Sequence, residues 1–369
     1  MTMASRGLRL PSVIAALAIA AETAGSASAA VPARMRPPSV GGFLRSIEAG
    51  SARDAWAAGP GASGSLTVHW NGASWTRIPS PPNAGADLSG IAVTSADSAW
   101  AVGLLGHGPD GRSMTLILHW NGRAWRRVRP PGVPAYGGLY AISAASPRDV
   151  WAVGFRGQVS DGGTLILHWN GSAWMRVPSP NPVRHGDDEL YGVAALSATS
   201  AWAVGYGNTP TSSASLILRW NGTAWLPVAS PPEETLNAVA MASASDGWAV
   251  GATDAYPYQT VTLHWNGTTW QTVPSPDPAA GTVDILYGVA ATPSGEAWAV
   301  GDAGLKSLIL RWSGTAWTRA KSPCPAGDCQ LFAVTAGAAG GTWAAGENGR
   351  MHPLILHWNG SLWKPVRIS

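Results

Sequence analysis

The sequence predicts an all-β protein: a seven-bladed β-propeller with four antiparallel strands per blade. Three observations predict it. A phrase of the AWAVG type recurs at Trp56, Trp100, Trp151, Trp202, Trp248, Trp298 and Trp343. A phrase of the LILHWNG type recurs at Trp70, Trp120, Trp169, Trp220, Trp265, Trp312 and Trp358. A third tryptophan follows each of these five residues later, at Trp75, Trp125, Trp174, Trp225, Trp270, Trp317 and Trp363. Seven units of three account for all 21 tryptophans, and the units lie 44 to 51 residues apart. Self-similarity at such a period is the signature of a repeat architecture.

Each unit reads as four short strands, named a to d here. Strand a is of the LYGVAA type and starts at a leucine twelve residues before the first tryptophan: Leu44, Leu88, Leu139, Leu190, Leu236, Leu286 and Leu331. Strand b is AWAVG and strand c is LILHW. Strand d starts at the third tryptophan and runs to a Pro-Ser-Pro-like stop, because proline cannot donate to a ladder. The strands are almost continuously apolar, as in sheets covered on both faces. Asn-Gly between c and d signals a hairpin. Four-stranded sheets that must bury both faces do so by stacking radially. The c–d hairpin should make the second and third tryptophans cross-strand neighbours that fill the wide outer gap between blades. Both ends of the repeat region fall in phase, so the ring is expected to close by packing blade 7 on blade 1, without a swapped strand.

The unit resembles the kelch and galactose-oxidase-like propeller repeat. SAWAVGYG matches that family's apolar run followed by glycine, and LILRWNGTAWLPVASP matches its aromatic, turn, tryptophan and proline ending. The resemblance covers about residues 43–369 and implies a secreted bacterial propeller. It departs at the family's double glycine, of which one remains (Gly59, Gly103, Gly154, Gly205, Gly251, Gly301, Gly346). The tyrosine–cysteine pair and histidines of the family's copper site are not recognisable, so no cofactor is expected.

The N-terminus has a different character. Arg6 and Arg9 precede an apolar run from Val13 to Ala21, and Ala27-Ser28-Ala29 follows. This order is that of a Sec-type signal peptide. The organisation expected is a signal peptide over 1–29, a linker over 30–42 and a propeller over 43–369, with export to the cell exterior. The apolar run is too short for a bilayer, which needs ~20 residues. Arginine outnumbers lysine 21 to 3, a bias that suits a GC-rich bacterial genome.

Charged residues make up 12% of the chain, about half the usual share, and the net charge is only +3. The apolar content excludes a largely disordered chain. Nucleic acid binding needs clustered basic and aromatic groups. The one short basic run, Arg123, Arg126, Arg127 and Arg129, would be scattered by strand alternation. Asp187, Asp188 and Glu189 lack the regular spacing of a calcium loop and read as a solvated loop. Five strand-c histidines (His69, His119, His168, His264, His357) sit one per blade and diverge, which suits hydrogen bonding or stacking rather than metal. Cys324 and Cys329, the only cysteines, are expected to form a disulfide.

Alternating strands place the a–b and c–d turns on one face and the b–c and d–a loops on the other. The c–d span is constant. The first-to-second tryptophan span runs from 14 to 20, and the span from third tryptophan to next unit from 23 to 28. Loops that vary on a fixed scaffold usually carry binding. Tyr140, Tyr191 and Tyr287 sit eleven residues before the first tryptophan of their units, at the entry to the innermost strand on the variable face. Phe332, Arg45, Ser89 and Asn237 hold that position elsewhere. The candidate ligand-binding set is therefore Tyr140, Tyr191, Tyr287 and Phe332 for stacking, with Arg45 and Asn237 for hydrogen bonds. The expected function is non-catalytic binding of a glycan or an extracellular protein by a monomer. Two alternatives remain: a polysaccharide hydrolase or lyase using loop carboxylates (Asp87, Asp187, Asp284, Asp302), and a structural envelope protein.

Overall fold

The computed structural model describes residues 41–369 except 83–84, 107–112, 130, 135, 158–161, 182–186, 209–212, 232–233, 278–280, 325–327 and 338–340. The expected signal peptide and residues 30–40 of the expected linker lie outside the described residues. The described chain forms seven four-stranded antiparallel sheets, each built from four consecutive strands. Blade 3 is typical: strand a is Gly137–Ser146, b is Asp149–Arg156, c is Gly163–Trp169 and d is Trp174–Val177.

The tryptophans pack as the repeat rule requires. In every blade the second and third face each other across the c–d pair, as Trp169 faces Trp174. The first tryptophan of each blade then meets both members of the next blade's pair. Trp151 lies 4.9 Å from Trp220 and 5.1 Å, edge to face, from Trp225. Edge-to-face contact sets the positive rim of one indole against the negative face of another. The c–d loop has four residues, as the five-residue tryptophan spacing requires. Asn170 opens a four-residue loop, its side-chain oxygen accepts from the backbone N–H groups of Ser172 and Ala173, and Gly171 turns with φ +92°.

The strand-c histidines lie on their own blade's first tryptophan. His168 stacks on Trp151 at 4.1 Å, and its Nε2 is 2.6 Å from Asp149, two residues before that tryptophan. His69 with Asp54 and His264 with Asp246 repeat the arrangement. Where arginine replaces histidine in blade 6, glutamate replaces aspartate: Arg311 Nη2 is 2.9 Å from Glu296.

Ring closure corrects one expectation. Blade 1 does pack on blade 7, with Trp343 5.4 Å from Trp75 in a shared core. Packing is not the whole closure, however. The C-terminus runs onto the outer edge of blade 1, where Ile368 makes a parallel bridge with Trp75 and the Ser369 N–H donates to the Trp75 carbonyl at 2.9 Å. The outermost strand leaves a row of unpaired backbone groups, and the last two residues meet some of them.

Candidate functional site at the channel mouth

Strand a lines the central channel, and a kink in it builds the site. In blade 4, Leu190 pairs with Gly205 and Gly192 with Val204, so Tyr191 is the extra residue of a bulge. Ser89, Tyr140, Asn237, Tyr287 and Phe332 are skipped in the same way. A bulge re-aims the side chain of its extra residue. The single glycine of each AWAVG phrase makes room for it: a Cβ at Gly205 would collide with the carbonyl oxygen of Glu189.

The result is a collar. Arg45, Ser89, Tyr140, Tyr191, Asn237, Tyr287 and Phe332 all line one cavity of about 380 Å³ in the channel. The structure thus brings together all six candidate residues read from the sequence. Their ring faces are less open than stacking on a sugar would need. Tyr140 lies 5.4 Å from Phe155 and 5.2 Å from Tyr191, and Tyr191 lies 5.6 Å from Tyr206. Tyr140 and Tyr191 are only 8% and 5% exposed, so little of either ring face is open. Phe332 sits between Phe43 and Tyr287.

The polar groups around the collar are mostly acceptors. Arg45 is held by Asp87, with Nη1 3.1 Å from Oδ2, and lies over the Phe43 ring. Burial still pushes the Asp87 carboxyl up, against the pull of Arg45. The Tyr191 hydroxyl donates to Glu189 at 2.8 Å. The Tyr287 hydroxyl and the Gln330 amide donate to Asp302, whose carboxyl burial nevertheless pushes up to about 6. Burial first, then the neighbouring carboxylates Glu189 and Asp302, raise both tyrosine hydroxyls well above their usual range. The Asn237 amide donates to the Leu286 carbonyl at 2.9 Å and so ties blade 5 to blade 6, but its buried oxygen has no partner among the described residues.

Two acidic positions went unread in the sequence. Glu48 lies three residues along strand a from Arg45 and lines the same cavity. The equivalent residues are Ala92, Ser143, Ala194, Ala240, Ala290 and Thr335, so Glu48 is the one carboxylate in its ring of positions. Burial pushes it up to about 7, offset only in part by the Val93 N–H at 3.2 Å. Glu234, the first residue of strand a of blade 5, is pushed up to about 7 by burial and by Asp254. Its Oε2 and Asp254 Oδ2 are buried without partners among the described residues. Of the loop carboxylates read from the sequence, Asp87 and Asp302 take the places just described. Asp284 accepts from the Thr282 hydroxyl at 3.0 Å. The Asp187 side chain lies outside the described residues. Cys324 and Cys329 are bridged beside this face, in the connection between blades 6 and 7.

No family model matches the chain, and no curated protein matches it. Solved structures share the fold at low identity. A polysaccharide lyase of family PL25, an ulvan lyase bound to a glucuronate–sulfated rhamnose unit, has TM-score 0.60 at 11% identity, over 89% of this chain and 96% of that one. YCF48 bound to D1 peptide has TM-score 0.57 at 14% identity, over 88% and 97%. The GH74 xyloglucanase of Xanthomonas campestris has TM-score 0.55 at 17% identity, over 85% of this chain and 53% of that one. These likenesses support a seven-bladed propeller and not membership of the kelch or galactose-oxidase family.

Proposed function

We propose that the chain is an exported binding propeller that takes an extended, cationic segment of a partner protein at the collared mouth. The observation that carries this reading is the chemistry around that one cavity. Asn237 Oδ1 and Glu48 offer acceptors in the cavity lining, with Asp302 behind Tyr287 and Glu234 three residues before Asn237, while the one cation of the collar, Arg45, is already engaged. Acceptors left without partners in a buried site call for donors, and a lysine, arginine or terminal amine supplies them. The covered ring faces favour a peptide over a sugar at this mouth. The fold accommodates both, since neighbours on it include one bound to a peptide and one bound to a glycan. The Cys324–Cys329 bridge and the signal-like N-terminus support export.

The test is a binding screen of the purified chain against extended peptides, soluble glycans and insoluble polysaccharides. Tyr191→Ala combined with Tyr287→Ala serves as control, with its fold checked by circular dichroism. Saturable binding of basic peptides that the double variant loses is the expected result. Peptide binding that the folded double variant keeps would remove the mouth as the site. The hydrolase or lyase reading has one observation in its favour. Glu234, its carboxyl raised to about 7 by burial and by Asp254, has the makings of an acid–base pair with Asp254. Release of sugar products from a polysaccharide, abolished by Glu234→Gln, would establish that reading instead.

A further inference from the structure

We propose that the cleft between blades 5 and 6, on the face opposite the mouth, is a carbohydrate pocket that takes one glycosyl unit. A cavity of about 370 Å³ opens there, within the size range of small-molecule sites. Asp246, Trp248, His264, Glu296 and Trp312 line it, with Gly295 at its rim.

The sequence explains why a pocket opens at this place. In five blades, the residue three before the first tryptophan packs over the glycine of its own c–d hairpin. Arg53 covers Gly72, Asp97 covers Gly122, Arg148 covers Gly171, Thr199 covers Gly222 and Ser245 covers Gly267. In blade 6 that residue is Gly295, and among the described residues nothing lies over Gly314; blade 7, which also has glycine at this position of its sequence, likewise leaves Gly360 uncovered. The missing side chain leaves the space beside Trp312 open.

The donor and acceptor pattern selects the ligand. Asp246 Oδ1 is held by His264 at 2.8 Å and Glu296 Oε1 by Arg311 at 2.9 Å. Each carboxylate keeps a second oxygen as an acceptor. Because each already has a cationic or imidazole partner, the pocket does not call for a charged ligand. Neighbouring hydroxyls of a neutral sugar donate to such oxygens. The sugar's C–H surface then rests on the partly exposed indole of Trp312. This is one tryptophan of the girdle put to a second use, and the site is separate from the mouth.

The direct test is a titration of the chain, labelled with ¹⁵N at its indole nitrogens, with the methyl glycosides of glucose, galactose, mannose, fucose and N-acetylglucosamine. Trp312→Phe assigns the Trp312 signal. The expected result is that at least one glycoside shifts that signal. Affinity should then fall about tenfold or more in Asp246→Asn and in Gly295→Asn. Asparagine tolerates the φ of +83° at residue 295, and both variants should keep the wild-type melting temperature. A Trp312 signal unmoved by every glycoside would overturn the pocket. So would sugar binding that survives both variants and is lost in the double tyrosine variant, since that places the sugar at the mouth. Failure of peptides to bind the mouth leaves this result untouched.

Discussion

The tryptophan girdle and the channel collar are built from the same repeat and treat it in opposite ways. At the girdle, three positions hold tryptophan in all seven blades, and each first tryptophan meets the next blade's pair in nearly one geometry. At the collar, one position holds arginine, serine, tyrosine, tyrosine, asparagine, tyrosine and phenylalanine in turn. The girdle solves one packing problem seven times. The collar surrounds a single shared space, where seven copies of one side chain would give a symmetric mouth. Repetition here serves stability, and departure from it marks where the molecule is particular.

Truncation in the girdle should have the largest effect. Trp151 is fully buried and touches His168, Trp220 and Trp225. Trp151→Ala should cost about 3–5 kcal/mol in chemical unfolding, whereas Ser89→Ala at the collar should cost well under that. Equal losses at the two positions would break the contrast. Next is the histidine column. His168→Ala leaves the buried Asp149 without its partner and should cost about 1–3 kcal/mol. His357 has no aspartate at the matching position, which is Gly341, so His357→Ala should cost less.

The collar makes a prediction of opposite sign. Glu48, Glu234 and Asp302 have carboxyls raised by burial to about 7, 7 and 6 in the fold. An acid raised on folding contributes stability that is present below its unfolded value, near 4, and is lost as pH rises through the folded value. Stability should therefore decline between about pH 4 and pH 7 and level off above. Glu48→Gln should raise stability near pH 8 by about 1–2 kcal/mol and leave it unchanged near pH 4. Thermal melts across that range check both halves, and a variant less stable than wild type at high pH would contradict the burial of Glu48. The smallest effect is expected at ring closure. Deleting Ile368 and Ser369 removes the bridge to Trp75 and should cost about 0.5–1.5 kcal/mol.

The two regions also differed in how far they could be read beforehand. Trp70, Trp120 and their counterparts obey a rule visible by inspection, so blade number, strand order and the paired tryptophans followed from spacing alone. The candidate set from Arg45 to Phe332 was visible as a column of the repeat, and its members share one cavity. What spacing could not supply was the bulge, because the pairing of Leu190 and Gly192 around Tyr191 is a relation between strands. The covered faces of Tyr140 and Tyr191 depend on Phe155 and Tyr206, which lie outside the column. Glu48 was legible in principle as the one carboxylate in a column of small residues, and Gly295 as a glycine, shared only with Gly340 of blade 7, in a column that elsewhere carries a side chain. The coupling of His168 to Asp149, and of Arg311 to Glu296, could also be read once strands b and c are set in register. The C-terminal residues gave no signal, since a single bridge requires no pattern.

The most direct measurement is a calorimetric titration of the chain with extended lysine-containing peptides and with matched peptides carrying glutamine for lysine. Both the wild type and a Glu48→Gln, Asp302→Asn variant should be titrated, at low and at moderate salt. The result expected is saturable binding of the lysine peptides alone, weakened about tenfold in the variant and further by salt. Equal binding of the glutamine peptides, or lysine-peptide binding that the variant leaves unchanged, would contradict a cation-seeking mouth.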